Sequence, residues 1–113
     1  MNPFRDQEKF MRACDQTTED YNHGQVALYA NLIDEEVKEF NQAYKQYDHK
    51  EMLDALIDII VVATGAIHSM GADAEGAWKE VMATNFAKID RETGKVRKRE
   101  DGKVLKPLGW KAP

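Results

Sequence analysis

Two groups of carboxylates stand on helical faces where apolar side chains would be expected. Leu28, Leu32, Glu36, Glu39 and Ala43 follow one another at steps of four, four, three and four. That spacing lays them along one stripe of a helix. Glu35 falls at the solvent edge of the stripe. A second series, Glu51, Asp54, Asp58, Val62 and Gly65, has steps of three, four, four and three, and again mixes acids with apolar or small residues. Like charges at such spacing repel. Burying an unpaired carboxylate costs several kcal/mol or raises its pKa until it is neutral.

Two arrangements relieve that cost: pairing with Lys or Arg, or binding of a divalent cation. There is no Lys or Arg from Met52 to Met70, and Lys38 and Lys45 fall off the acidic stripe. This favours the cation. All-carboxylate ligation suits a hard ion, Mg²⁺ with Mn²⁺ as a substitute. A di-iron bundle would need Glu-x-x-His on two helices, which His23, His49 and His68 do not supply. No EF-hand pattern is present. Mg²⁺ usually keeps several waters and shares substrate phosphates, so a nucleotide di- or triphosphate is the expected ligand. No P-loop or kinase-type glycine loop competes for that role.

The elements that position these acids read as helices. Pro3 to Cys14 suits a first helix, with Phe4, Phe10, Met11 and Cys14 as its apolar positions and Pro3 in the first turn. From His23 to Gln46, Val26, Tyr29, Ile33, Val37, Phe40 and Tyr44 recur at three- and four-residue steps. From His49 to Ser69 almost no polar face remains, which predicts a helix buried all round, Asp54 and Asp58 included. Gly71 ends it. Asp73 reads as the N-cap of a fourth helix reaching about Lys88, with Ala77, Trp78, Val81, Met82 and Phe86 buried. The tail from residue 89 carries Asp101-Gly102 between short strand-like pieces, a two-residue hairpin signal. A third helix without a polar face needs more cover than three short neighbours provide. Helices two and three are therefore expected to pair across subunits of a homodimer or dimer of dimers.

Length and composition set the frame. With 113 residues, 42% apolar and 32% charged, the chain has the balance of one soluble globular domain. The uncharged stretch Ile59 to Met70 is well short of the ~20 apolar residues of a membrane span, and the first ten residues contain no signal-peptide core. One cysteine, Cys14, has no internal disulfide partner, so a small core residue in the cytoplasm is the expectation. The net charge of −4 argues against a nucleic-acid partner. The charge is unevenly placed: acids crowd residues 34 to 58 and bases residues 88 to 111. Either two solvated faces result, or a site with cations on one side and phosphates on the other.

These segments carry a resemblance. DEEVKEF at Asp34 to Phe40 resembles the E-E-x-x-E signature of the MazG-like all-α nucleoside triphosphate pyrophosphohydrolases, within the phosphoribosyl-ATP pyrophosphohydrolase-like superfamily. DALIDIIVVATG at Asp54 to Gly65 is similar to their second acidic helix, and EVMATNFAK at Glu80 to Lys88 to their N-x-x-K segment. FMRACDQ at Phe10 to Gln16 and DGKVLKPLGW at Asp101 to Trp110 resemble the start and tail of a subgroup of bacterial and phage members. The matches span about residues 10 to 113, in order. The E-E-x-x-E pattern alone is common; the ordered set is specific.

The resemblance implies an all-α bundle of four to five helices completed by homo-oligomerisation, with a short hairpin-like tail, the whole chain 1–113 forming one domain. It implies hydrolysis of a nucleoside triphosphate, a dNTP above all, at the α–β bond to monophosphate and pyrophosphate, for nucleotide-pool cleansing or adjustment. Glu36, Glu39, Asp54 and Asp58 would be metal ligands, and Glu35 would orient or deprotonate the attacking water. Asn85, Lys88, Lys103 and Lys106 would contact sugar or phosphates, and Gln16 would stand near the base. One position departs from the family: Ala55 stands three before Asp58, where an acid is frequent. The acids are at Asp54 and Glu51 instead, so ligation by Asp54 directly or through a water both fit. The alternative from another class is a non-catalytic helical module that holds a metal–nucleotide as a regulatory signal.

Overall fold

Three helices open on side-chain caps. Asn2 Oδ1 accepts from the Arg5 backbone N–H at 2.9 Å and starts α1, Pro3–Ala13. Asn22 Oδ1 accepts from Gln25 N–H at 3.0 Å and starts α2, His23–Lys45. Asp48 Oδ1 accepts from Glu51 N–H at 3.2 Å and starts α3, His49–Ser69. Each cap satisfies a donor that the first helical turn leaves orphaned. The fourth helix, α4, Ala74–Phe86, begins directly after Asp73. This is a computed structural model, in which residues 1–105 are described. The all-α class and the positions of the four helices agree with the periodicity.

The chain divides into two compact units, Met1–Ala74 and Glu75–Pro113. In the first, α2 and α3 are joined by the short turn 46–48 and pack along each other, while α1 packs on α3. Tyr47 takes the left-handed backbone region in that turn, at φ 53. Met11, Tyr29 and Val62 form the buried centre, with Leu32, Ile33 and Ala66 against it. The Tyr29 ring lies so close to Gly65 that a Cβ there would overlap it. The small residue on the acidic face of α3 thus admits a side chain from α2. His68 Nε2 lies 2.8 Å from the Phe4 carbonyl oxygen and ties the end of α3 to the start of α1, a core role.

Several expectations about burial are corrected. Leu53, Leu56, Ile57, Ile60 and Val61 of α3 are exposed, as are Leu28, Val37 and Tyr44 of α2. The third helix is not buried all round, because within the unit only α1 and α2 cover it. Asp54 is exposed and Asp58 half-buried for the same reason. Cys14 is exposed, since it caps α1 at the surface rather than facing the core. In α4, Ala77, Trp78, Val81 and Phe86 are exposed and Met82 is half-buried. Among the described residues, the second unit has no other helix to cover that face.

In the second unit, β1, Arg97–Lys98, pairs antiparallel with β2, Val104–Leu105. Arg99 N–H donates to the Lys103 carbonyl at 2.8 Å, so the loop is Glu100 to Gly102, three residues rather than two. Gly102 sits at φ 88, the left-handed position that three-residue hairpins use. Arg99 and Asp101 close the loop with a two-nitrogen contact at 3.2 and 2.7 Å.

By length and composition α3 is also apolar enough to cross a membrane, the one such helix among the described residues. Core helices of bundles meet the same criterion. Asp58 near its middle and its packing against α1 and α2 fit the bundle.

Candidate active site

The pairing of α2 with α3 gathers the acids. Glu36 is half-buried, and its Oε2 is shut off from solvent with no hydrogen-bond partner. Burial holds the Glu36 carboxyl above the usual glutamate range; the adjacent Glu39 carboxyl raises it further, followed by the charges of Asp58 and Asp54. Asp58 is likewise pushed up, first by burial, then by Asp54 and Glu39. The four acids expected from the stripes therefore act on one another across the α2–α3 seam. Each carboxylate adds cost to ionising the others.

The seam opens toward the α2–α3 turn as a cavity of about 280 Å³, lined among others by Glu39, Asp48, Glu51, Asp54 and Ala55. Ala55, part of that lining, is buried. Glu51 thus shares the cleft with Asp54 and Glu39, as the second acidic stripe placed it. Among the described residues, no basic side chain lines this cavity. Lys38, next to Glu39 in sequence, is engaged with Asp34 at 3.0 Å.

The donor set fits a hard divalent cation. The cluster is all carboxylate, it repels itself, and it contains a buried oxygen that no protein group satisfies. Among the described residues no three acids already stand in closed ligand geometry around one point. Glu35 lies exposed on the flank of the stripe, outside the set that perturbs Glu36 and Asp58.

The other expected site residues fall elsewhere. Asn85 and Lys88 belong to the second unit, where Lys88 Nζ donates to Asn85 Oδ1 at 3.3 Å. Lys103 sits at the hairpin loop, its backbone N–H donating to Asp101 Oδ1 at 3.1 Å. Lys106 and Trp110 lie outside the described residues. Gln16 is half-buried in the loop between α1 and α2, lining a second cavity of about 590 Å³.

One residue beside Gln16 escaped the sequence reading. Tyr29, taken there only as a core position, donates its hydroxyl proton to Gln16 Oε1 at 2.6 Å. The signal was its residue type: a buried tyrosine needs a partner for its hydroxyl.

Two comparisons bear on this arrangement. A search of curated proteins finds no match. The family model described as phosphoribosyl-ATP pyrophosphohydrolase matches residues 5–85, which include most of α1, the Gln16 loop, both acidic helices and most of α4. The chain belongs to the phosphoribosyl-ATP pyrophosphohydrolase family, part of the MazG-like all-α nucleoside triphosphate pyrophosphohydrolase superfamily.

Proposed function

We propose that the chain is a Mg²⁺-dependent nucleotide pyrophosphohydrolase. It cleaves the α–β bond of a nucleoside triphosphate, a dNTP foremost, to monophosphate and pyrophosphate. The observation that carries this reading is the orphaned Glu36 oxygen among Glu39, Asp54 and Asp58. A protein without use for a cation would be more stable with apolar residues there.

Glu36, Glu39, Asp54 and Asp58 would hold the cation, Mn²⁺ serving in place of Mg²⁺. When bound, it neutralises phosphate charge and polarises the phosphoryl oxygens. Glu35, exposed beside this set, is free to take a proton from the attacking water and to orient it toward the α-phosphorus. Asn85, Lys88, Lys103 and Lys106 are the proposed sugar and phosphate contacts. Their amide and ammonium groups match the charge of the leaving pyrophosphate. The uncovered apolar faces of α2 and α3 support a homodimer or dimer of dimers. Nucleotide-pool cleansing in a bacterial or phage-infected cytoplasm is the role we assign. Phosphoribosyl-ATP itself is the second substrate reading, favoured by the family match.

Product analysis tests this. The protein is incubated with canonical and damaged NTPs and dNTPs and with phosphoribosyl-ATP, with Mg²⁺, Mn²⁺ or EDTA. Monophosphate plus pyrophosphate is expected, abolished by EDTA and by Asp58→Asn. Absence of turnover with metal and nucleotide still bound would leave the regulatory-module reading standing instead.

A further inference from the structure

The latter part of α3 meets α1. His68 Nε2 lies 2.8 Å from the Phe4 carbonyl oxygen, and Val62 shares a buried cluster with Met11. Before and beside that contact, Leu53, Leu56, Ile57, Ile60 and Val61 stay exposed. Leu53, Ile57 and Val61 follow at steps of four and form one stripe of the helix. Leu56 and Ile60 flank the stripe on one side, and Asp54 and Asp58 flank it on the other.

The stripe has the same pattern read from either end. Ile57 is its centre, and an aliphatic residue stands four positions away in each direction. No charged residue interrupts the stripe between those ends. Such a face fits a copy of itself turned end for end, the self-complementary contact of a two-fold dimer. The antiparallel arrangement also sets opposite ends of the two helix macrodipoles side by side.

A two-fold axis through Ile57 keeps each flank on its own side of the contact. The Leu56–Ile60 flanks of the two copies then meet, and so do the Asp54–Asp58 flanks. Asp58 is one residue from the axis. Packed helices lie about 8–10 Å apart, close to the roughly 8 Å Debye length at physiological salt, so the two acidic flanks are not screened from one another. The one Lys or Arg of α3, Lys50, has Thr64 as its two-fold mate and does not answer those acids. The face that favours association therefore also brings like charges together. Asp54 and Asp58 are the same carboxylates that share the α2–α3 seam with Glu36 and Glu39. A cation held there relieves the repulsion within each seam and between the two flanks.

We propose that a second copy of this chain docks through its own α3 on the Leu53–Ile57–Val61 stripe, antiparallel about Ile57, and that a divalent cation at the neighbouring acids tightens this dimer. This rests on the cation reading of the acidic seam and adds regulation of that site by assembly. By reciprocity, the dimer binds the cation more tightly than the monomer does.

The test reads association and cation binding, not turnover. Sedimentation equilibrium of the full chain gives the dimer dissociation constant in Mg²⁺ and in EDTA at matched ionic strength. Mg²⁺ is expected to lower it about tenfold, within the usual strength of coupling between two sites. Mn²⁺ titration followed by electron paramagnetic resonance, at protein concentrations below and above that constant, should show the same factor in cation affinity. Asp54→Asn combined with Asp58→Asn removes the repulsion. That variant should dimerise in EDTA as tightly as wild type does in Mg²⁺, and Mg²⁺ should no longer change it. Ile57→Cys in a Cys14→Ser background should oxidise to a linked dimer, because a residue on the axis meets its own copy. Leu53→Cys, whose mate is Val61, should not. A monomer in both buffers, a constant that Mg²⁺ leaves unchanged, an equal Mg²⁺ effect in the double Asn variant, or failure of Ile57→Cys to link would overturn the proposal. Mn²⁺ bound with one affinity at both protein concentrations sinks the linkage and leaves the cation site standing; no Mn²⁺ binding at either removes both.

Discussion

At the residue scale, the site is a conflict left unresolved by the protein's own side chains. Glu36 and Asp58 both have carboxyls raised above their ordinary values of 4.5 and 3.8 by burial and by neighbouring acids. The sign of the linkage follows. The folded protein holds these protons more tightly than the unfolded chain does. The contribution is fully present below the ordinary values and is lost as pH rises through the raised ones. Without divalent cation, thermal stability attributable to these groups should therefore fall as pH rises above their ordinary values of 4.5 and 3.8. Added Mg²⁺ should raise Tm more at pH 7.5 than at pH 5, measured by calorimetry; an equal or smaller shift at pH 7.5 would count against cation binding here. Glu36→Gln should raise Tm of the metal-free protein, because it removes the buried charge while keeping the shape. The same variant should reduce pyrophosphohydrolase activity by at least about 10²-fold, since even outer-shell changes around a metal cost 10–100-fold. A variant that is both destabilised and fully active would contradict the role given to Glu36.

At the element scale, two glycines hold α3 in the place that the site requires. Gly65 admits the Tyr29 ring from α2. Gly65→Ala should destabilise the fold by about 1–3 kcal/mol through overpacking, read from chemical denaturation. Gly71 stands at φ +69, and a Cβ there would lie 2.7 Å from the Glu19 carbonyl oxygen. Gly71→Ala should therefore cost more than the helical propensity of alanine could return, and should loosen the loop between α1 and α2. Hydrogen exchange at Thr17 and Asn22 reports that loosening, because both are tied to the same corner. Unchanged protection there would separate Gly71 from the loop. Ser69→Ala tests the corner itself: it removes an acceptor for Gln25 and a buried donor to the Gly65 carbonyl at 2.7 Å, at a cost of about 1–3 kcal/mol.

At the scale of the whole molecule, the uncovered apolar surface is the dominant fact. Leu53, Ile57 and Ile60 lie 62, 51 and 48% exposed on a helix whose composition is that of a core. A contiguous face of this kind marks an interaction surface. We expect light scattering to give at least twice the 12.9 kDa of one chain, and Leu53→Asp with Ile57→Asp to reduce it to the monomer. A monomeric wild type would remove the homo-oligomer from the reading.

Much of this was legible from residue order. The helices follow from apolar spacing and from the polar residues before each run, because a 3.6-residue period and a cap are local properties. The acidic stripes were legible for the same reason: Glu36 and Glu39 share a face of α2, and Asp54 and Asp58 a face of α3, whatever packs against either. Which faces meet was not. Periodicity read α3 as buried on every side, but burial depends on how many neighbours one chain supplies, and α1 and α2 leave a face of it open. The Tyr29–Gln16 contact joins residues thirteen apart across a loop and a helix, and no local pattern encodes a hydrogen bond of that kind. Cys14 read as core from its type, and the end of α1 turned it to the surface. The sequence by itself determined the elements and the chemistry on each helix, since both depend on neighbours along the chain. Only the tertiary structure decided which carboxylates perturb one another, which oxygen of Glu36 is left without a partner, and which residue the Tyr29 hydroxyl meets, since these depend on distances between segments far apart in the chain.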